Sequence, residues 1–247
     1  KKTKWSKALD GVNCIIHCAA KAHEMEKLET NSLETYRKVN VEGTINLAEQ
    51  AAAKGVRRLI FLSSVKVNGE RTKELSKFKY NDTPNPQDFY AKSKLEAEKV
   101  LHEISLRTDL EVVVLRLPLV YGYGVKGNLS RLIKLINTGI PLPFGLIENK
   151  RSLIGVDNLI DLLINCIDHP NASGKTFLVS DDEDLSTPEL IKLIASSMGR
   201  KANLFPMPIF MLKFLGSIFG KREEINRLVG SLRIDNSYTK ETLNWTP

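Results

Sequence analysis

Tyr90 and Lys94 lie four residues apart in the run Asp88-Phe89-Tyr90-Ala91-Lys92-Ser93-Lys94-Leu95-Glu96-Ala97-Glu98. On a helix that spacing places both side chains on one face, so an ammonium stands beside a phenol. A free phenol has a pKa of about 10, and using it as a base near neutral pH asks for a drop of roughly three units, about 4 kcal/mol. The adjacent cation supplies part of that drop, and the positive ring of an oxidised nicotinamide would supply more. Upstream, Ser64 offers a hydroxyl to hold a reacting oxygen in line. These residue types suit hydride transfer at an alcohol carbon, with the proton passing through Tyr90.

The spacing alone is weak. With six Tyr and Lys at roughly one position in ten, chance supplies a Tyr-x-x-x-Lys in about half of such chains. Context carries the reading. Arg57-Arg58-Leu59-Ile60-Phe61-Leu62-Ser63-Ser64 has the continuous apolar character of a buried parallel strand, and it delivers two hydroxyls at its carboxyl end, where open α/β sheets bind ligands.

The elements that must hold these residues are legible on either side. Asn13 to Ala20 reads as a first strand ending in small residues that leave room for a ligand. A long helix follows from about Ser32 to Lys54, with Gly55 as its cap. The strand ending at Ser64, a polar loop from Asn68 to Asp88, the helix of Tyr90 and a buried strand over Glu111–Leu117 come next. Strands alternating with helices at this spacing predict a doubly wound parallel sheet of the Rossmann type, an α/β fold. From Asn128 the elements shorten. Thr187-Pro188-Glu189 opens one helix and Asp235-Asn236 caps the last, so the C-terminal part reads as a smaller substrate-side lobe.

Gly122-Tyr123-Gly124-Val125-Lys126-Gly127 matches G-x-G-x-x-G. No second strand ending in Asp or Glu follows it, only the turn-rich Gly139–Gly145 stretch. We read it as a substrate-side loop and not as the dinucleotide fingerprint.

With 247 residues, ordinary apolar and charged fractions and a net charge of +7, the chain suits a soluble globular protein with anionic partners. The basic residues are scattered without interleaved aromatics, which argues against nucleic acid. Cys14, Cys18 and Cys166 sit in apolar runs and read as buried, reduced thiols, placing the protein in the cytoplasm. No metal-ligand spacing links them to the four His, and no metal is expected. The apolar run 204–220 is broken by Pro and carries Lys213. It is too short to span a bilayer, and we read it as a helix packed on the core in preference to a membrane-surface anchor.

Six ordered motifs resemble the extended short-chain dehydrogenase/reductase family, in particular its nucleotide-sugar 4-epimerases and 4-keto-sugar reductases. They are Ile15–Ala20, Asn40-Val41-Glu42-Gly43-Thr44, Ser63-Ser64, Tyr90 to Lys94, Leu115–Gly122 and Arg151-Ser152-Leu153. The resemblance implies NAD as cofactor, with NADP the alternative, and a UDP-sugar as substrate. Tyr90 would be the acid/base, Lys94 would bind the nicotinamide ribose and tune it, and Ser64 would contact the sugar hydroxyl. Ala19, Ala20, Asn40, Ser63 and Pro118 would line the dinucleotide, and Asn128 and Arg151 would grip the diphosphate. The helices beginning near Ser32 and Phe89 resemble those that form a dimer interface in the family, so a homodimer is expected. Residues 1–127, with later returning segments, would form the dinucleotide domain, and 128–247 mainly the substrate lobe.

Departures from the family pattern matter as well. Nothing before Gly11 supplies the strand, Gly-rich turn and helix that open the family's dinucleotide fold, so the chain reads as a fragment lacking its first βαβ region. Family dehydratases carry Asp-Glu after the active-site hydroxyl residue, where this chain has Val65-Lys66, which disfavours dehydration. Many epimerases have Asn at the position of Leu119, which lends weight to a 4-keto-6-deoxy-sugar reductase beside the leading 4-epimerase reading. A non-catalytic binding module of the same fold is the remaining alternative.

Overall fold

The computed structural model describes residues 3–22, 32–73 and 76–247. Residues 1–2, 23–31 and 74–75 lie outside the described residues. In chain order the first half holds β1 (Cys14–His17), α1 (Leu33–Arg37), α2 (Gly43–Ala53), β2 (Arg58–Ser64), α3 (Phe89–Arg107), β3 (Glu111–Leu117) and β4 (Leu119–Tyr121). The second half holds α4 (Gly127–Asn137), β5 (Arg151–Gly155), α5 (Val156–Asp168), β6 (Thr176–Leu178), β7 (Asp184–Leu185), α6 (Thr187–Ser197), α7 (Ile209–Ile218), α8 (Arg222–Val229) and α9 (Ser237–Leu243).

Four strands form an all-parallel sheet in the order β1-β2-β3-β6. The register of β2 on β3 runs from Arg58 opposite Glu111 to Ser64 opposite Leu117, so the serine pair and Pro118 meet at the same carboxyl edge. Residue alternation divides the central strands between two cores. Leu59, Phe61, Val112 and Val114 face α2 and α3 through Leu47, Ala51, Ala97 and Leu101. Ile60, Val113 and Leu115 face α5 and the C-terminal segment through Leu162, Cys166, Leu243 and Trp245. Burial on both faces is why the middles of β2 and β3, Leu59–Leu62 and Val112–Leu115, are continuously apolar.

Local chemistry sets the helix starts. Ser32 caps α1 by accepting from the Thr35 N–H, and Asp88 caps α3 by accepting from Ala91 N–H at 2.7 Å. The long helix expected from Ser32 is interrupted by a π-helical stretch at Lys38–Glu42. Gly55, at φ +73°, then takes the left-handed position that ends it.

Pro118 has no N–H to offer a ladder and marks the point where the chain leaves the main sheet. β4 pairs in parallel with β5, and β5 with β7 antiparallel, in a separate three-stranded sheet. Gly122 follows with φ +150°, and a Cβ there would fall 2.4 Å from Val156 Cγ1. The glycine-rich run therefore leads out of the small sheet into α4. A further core joins Ile136, Leu142, Phe144, Ile191, Ala195 and Leu212 from α4, α6, α7 and the turn-rich loop.

Two expectations are corrected. The apolar run 204–220 does not pack wholly on the core: α7 buries Leu212 and Gly216 and leaves several phenyl groups exposed. Of the cysteines, all free, Cys166 is buried, Cys14 half-buried and Cys18 exposed, because β1 is an edge strand and its exit is open. Among the described residues no helix is long and apolar enough to cross a membrane, and no cluster of three His, Cys, Asp or Glu is placed to hold a metal.

Candidate active site

Two bridges tie the start of α3 to the carboxyl end of β2. Lys94 Nζ donates to the main-chain oxygen of Leu62 at 2.7 Å, and Lys66 Nζ donates to Asp88 Oδ2 at 2.5 Å. Leu62 and Lys66 flank Ser64 at two residues on either side; Asp88 lies two residues before Tyr90 and Lys94 four after it, one helical turn on. The bridges therefore hold the Ser64 hydroxyl and the Tyr90 phenol at one mouth of the sheet. Ser64 also accepts from the Lys66 N–H at 3.3 Å, capping a single 3₁₀ turn over Val65–Val67 that turns the chain away from the sheet.

Lys94 is 2% exposed and stands over the Phe61 ring at 4.2 Å from its centroid. Burial pushes its pKa down to about 8, opposed by the nearby Glu98 carboxylate. Burial also pushes the Tyr90 phenol up to about 12, helped by Asp88. In the protein alone the phenol is thus held as an acid, the reverse of the drop that the Tyr-Lys spacing suggests. His17, on the strand next to Phe61, is pushed down to about 4 by burial and by Lys94. It stays neutral and bonds Thr44 Oγ1 at 2.9 Å.

The segment after β1 is pinned by Asn40. Its Oδ1 accepts from Lys21 N–H at 2.7 Å, and its Nδ2 donates to Lys21 O at 3.0 Å and to Ser93 Oγ at 2.9 Å. Ser93 Oγ in turn donates to Tyr90 O at 2.8 Å. Asn40 sits in the π-helical stretch, and π-bulges recur at functional sites. Its polar atoms fix the loop to the Tyr90 helix. Ala19 and Ala20, at the exit of β1, are exposed and half-buried, and leave an open shelf beside that loop. Pro118 is half-buried at the same edge.

Ser63 points elsewhere. It is buried and donates to Glu98, whose carboxylate pairs with Arg116 at 2.7 Å; Arg116 also donates to Asn68 Oδ1 at 3.1 Å. The alternation of a strand sends adjacent side chains to opposite faces, so only one of the two serines turns its hydroxyl to the mouth. Ser63 braces β2 against α3 and β3. Glu98, four residues after Lys94 on the same helix face, was readable by the spacing that found Lys94.

Arg151 is brought to a different place. It is nearly buried and donates to the carbonyls of Arg227, at 2.9 Å, and Gly230, at 3.2 Å. Burial, and then the cations Arg227 and Arg71, push its pKa down. Gly230 is where they converge: a Cβ on it would lie 3.3 Å from Arg71 Nε. Among the described residues neither Arg71 nor Arg151 pairs with a carboxylate. Three guanidinium groups gathered this way suit a phosphate-rich ligand. Arg71 and Arg227 were not found in the sequence, because they lie far from Arg151 along the chain and carry no motif. Asn128 is exposed in the first turn of α4, whose amino end has no side-chain cap and presents free N–H groups.

The donor set fits a nicotinamide dinucleotide. Small residues open the sheet edge, Asn40 fixes the loop beside it, and among the described residues Lys94 spends one ammonium N–H on Leu62, leaving others for ribose hydroxyls. A parallel sheet with Ser, Tyr and Lys at its carboxyl end defines a short-chain dehydrogenase/reductase-type enzyme.

The profile of the NAD dependent epimerase/dehydratase family matches residues 1–180, and the chain belongs to that family. It is similar to the UDP-glucose 4-epimerase of Vibrio cholerae, with 47% identity over 246 residues, 99% of this chain and 75% of that protein. It is also similar to the N-acetyl-alpha-D-glucosaminyl-diphospho-ditrans,octacis-undecaprenol 4-epimerase of Escherichia coli O157:H7, with 27% identity over 228 residues, 89% of this chain and 67% of that one. Among solved structures, the UDP-glucuronic acid 4-epimerase from Bacillus cereus in complex with NAD shares the fold, with a TM-score of 0.77 at 21% identity, covering 99% of this chain and 72% of that chain.

Proposed function

We propose that the protein is an NAD-dependent UDP-sugar 4-epimerase acting on a UDP-hexose or UDP-N-acetylhexosamine by way of a transient 4-keto sugar. The observation that carries this reading is the pair of bridges that bring Ser64 and Tyr90 together at the end of β2. The 47% identity to an epimerase supports it.

When bound, NAD would supply the hydride acceptor and donor and, in its oxidised form, a positive charge at the mouth held by Tyr90, Lys94 and Ser64. Tyr90 takes the proton from the C4 hydroxyl and, after the keto sugar has turned so that its other face meets the hydride donor, gives a proton back to the C4 oxygen. Ser64 holds the C4 oxygen in line. Lowering the phenol from about 12 to near 7 takes about five units, roughly 7 kcal/mol. The phenol stands at about 12 with Lys94 already in place on Leu62 O, so Lys94 alone leaves Tyr90 an acid, and base action arises only with the cofactor in place. Arg151, Arg227 and Arg71 hold the diphosphate, and the open amino end of α4 at Asn128 offers further N–H groups to it. The lobe built from α4, α6, α7 and α8 is the substrate side. Lys66, committed to Asp88, gives no carboxylate for eliminating water.

Leu119 favours a second reading, one-way reduction of a 4-keto-6-deoxy nucleotide-sugar with Tyr90 as acid. Incubation with UDP-glucose, UDP-galactose and their N-acetyl counterparts, followed by NMR and absorbance at 340 nm, separates the two. Interconversion of C4 epimers with no net absorbance change supports the epimerase. Stoichiometric loss of reduced cofactor with a keto sugar replaces it with the reductase.

A further inference from the structure

We propose that α7 docks the protein on the surface of an anionic phospholipid bilayer, through an apolar face that the fold leaves bare. The helix is fixed to the lobe on one side only. Leu212 is buried in the core, and Gly216 meets α8 so closely that a Cβ there would lie 2.7 Å from Ile225 Cγ1. The opposite side is open. Phe210 is 72% exposed, Phe214 65%, Ile218 61% and Phe219 72%, with Met211 and Leu215 beside them. Positions 210, 214 and 218 lie on one helical stripe, with 211 and 215 next to it. A helix ten residues long thus presents an unbroken apolar strip about 15 Å long, which is rare on a surface meant only for water.

Charge selects the occupant. Between Glu189 and Glu223 the sequence carries six basic residues and no acidic one. Among these, Lys213 flanks the apolar strip on α7 itself, and Lys221 and Arg222 follow its carboxyl end; all three are exposed. Lys221 pairs with Glu224 at 3.3 Å and Glu223 with Arg227 at 3.6 Å, which leaves Lys213 and Arg222 as the cations beside the phenyl groups; this matches a lipid interface, where acyl chains take the rings and anionic headgroups take the ammonium and guanidinium groups. A second copy of the chain would bring the same positive rim against itself. The helix is too short to span the bilayer, so docking is peripheral. Because α8 packs on α7 and offers the Arg227 carbonyl to Arg151, docking places the arginine cluster one helix layer from the headgroups.

Co-sedimentation of the purified protein with sucrose-loaded vesicles tests this. We expect binding to vesicles of phosphatidylglycerol and phosphatidylcholine, at least tenfold weaker binding to phosphatidylcholine alone, and weakening in high salt. The exposed triple variant Phe210→Ser/Phe214→Ser/Phe219→Ser should lose binding at least tenfold with its thermal midpoint and its mass by light scattering unchanged. Lys213→Glu/Arg222→Glu, which keeps the phenyl groups, should weaken binding only to the anionic vesicles. Absence of vesicle binding, equal binding by the triple variant, or a fall in its mass from dimer to monomer would overturn the proposal, the last assigning the face to a second copy. The outcome does not depend on which reaction the site performs.

Discussion

Lys94 is held in a costly place. An ammonium 2% exposed and pushed from 10.5 to about 8 carries a penalty of about 3 kcal/mol in the protein without ligand. The sign is fixed by which state binds the proton. Between pH 8 and 10.5 the unfolded chain keeps the proton that the folded chain has lost, so the penalty is full below pH 8 and fades as pH rises to 10.5. Lys94→Met should therefore raise the thermal midpoint of the ligand-free protein by several degrees at pH 7 and progressively less toward pH 10, while abolishing turnover. Thermal melts across that range check it, and an unchanged or lowered midpoint at pH 7 counts against it. Arg151 makes a contrasting case. With Arg151 proposed to hold the diphosphate in substrate and transition state alike, Arg151→Leu should raise KM for the UDP-sugar tenfold or more with kcat nearly unchanged; steady-state kinetics decides, and a fall in kcat alone would place Arg151 elsewhere. The Tyr-Lys pair was legible because it is local, four residues on one helix. The arginine cluster was not, since Arg71, Arg151 and Arg227 meet only when the lobe folds.

At the scale of elements, the carboxyl edge of the sheet is held by side chains that the strand and helix pattern does not reveal. β3 falls on Glu111–Leu117 as its apolar run predicts, and the strand ending at Ser64 is offset by one residue at its start. The continuous helix expected over Ser32 to Lys54 instead carries a π-helical stretch, which the hydrophobic period does not encode because the extra residue is stabilised by tertiary bonds from Asn40. Removing that amide takes one bond each from Lys21 N–H, Lys21 O and Ser93 Oγ, which keeps its bond to Tyr90 O; a lost bond costs about 1 kcal/mol. Asn40→Ala should destabilise the protein by about 3 kcal/mol in denaturant melts and weaken NAD binding by calorimetry. Asn40→Asp, which keeps the acceptor for Lys21 N–H, should recover part of the loss. Equal effects of the two variants would mean that the bond to Lys21 N–H does not matter.

For the whole molecule, the doubly wound parallel sheet was readable from alternation of strands and helices, while the second sheet that begins after Pro118 was not. The destination of the apolar run at 204–220 was not readable, because composition reports that a helix is apolar but not which neighbours cover it. Association is likewise a property of surfaces. α1 and α3 lie side by side, tied by Arg37 to Glu96 at 2.6 Å, with Val39 exposed after α1. A homodimer through these helices predicts a dimer mass by light scattering at micromolar concentration, and Val39→Glu should shift it toward monomer. A monomeric wild-type protein would contradict the assignment.

The most direct test of the account is the turnover of Tyr90→Phe, measured as interconversion of C4 epimers, with bound NAD and the thermal midpoint as controls. Removing a general acid and base of this kind predicts a fall in kcat of about 10²–10⁴-fold with cofactor binding and folding retained. Turnover equal to that of the wild type would show that the proton passes through another group and that the site is not the one described.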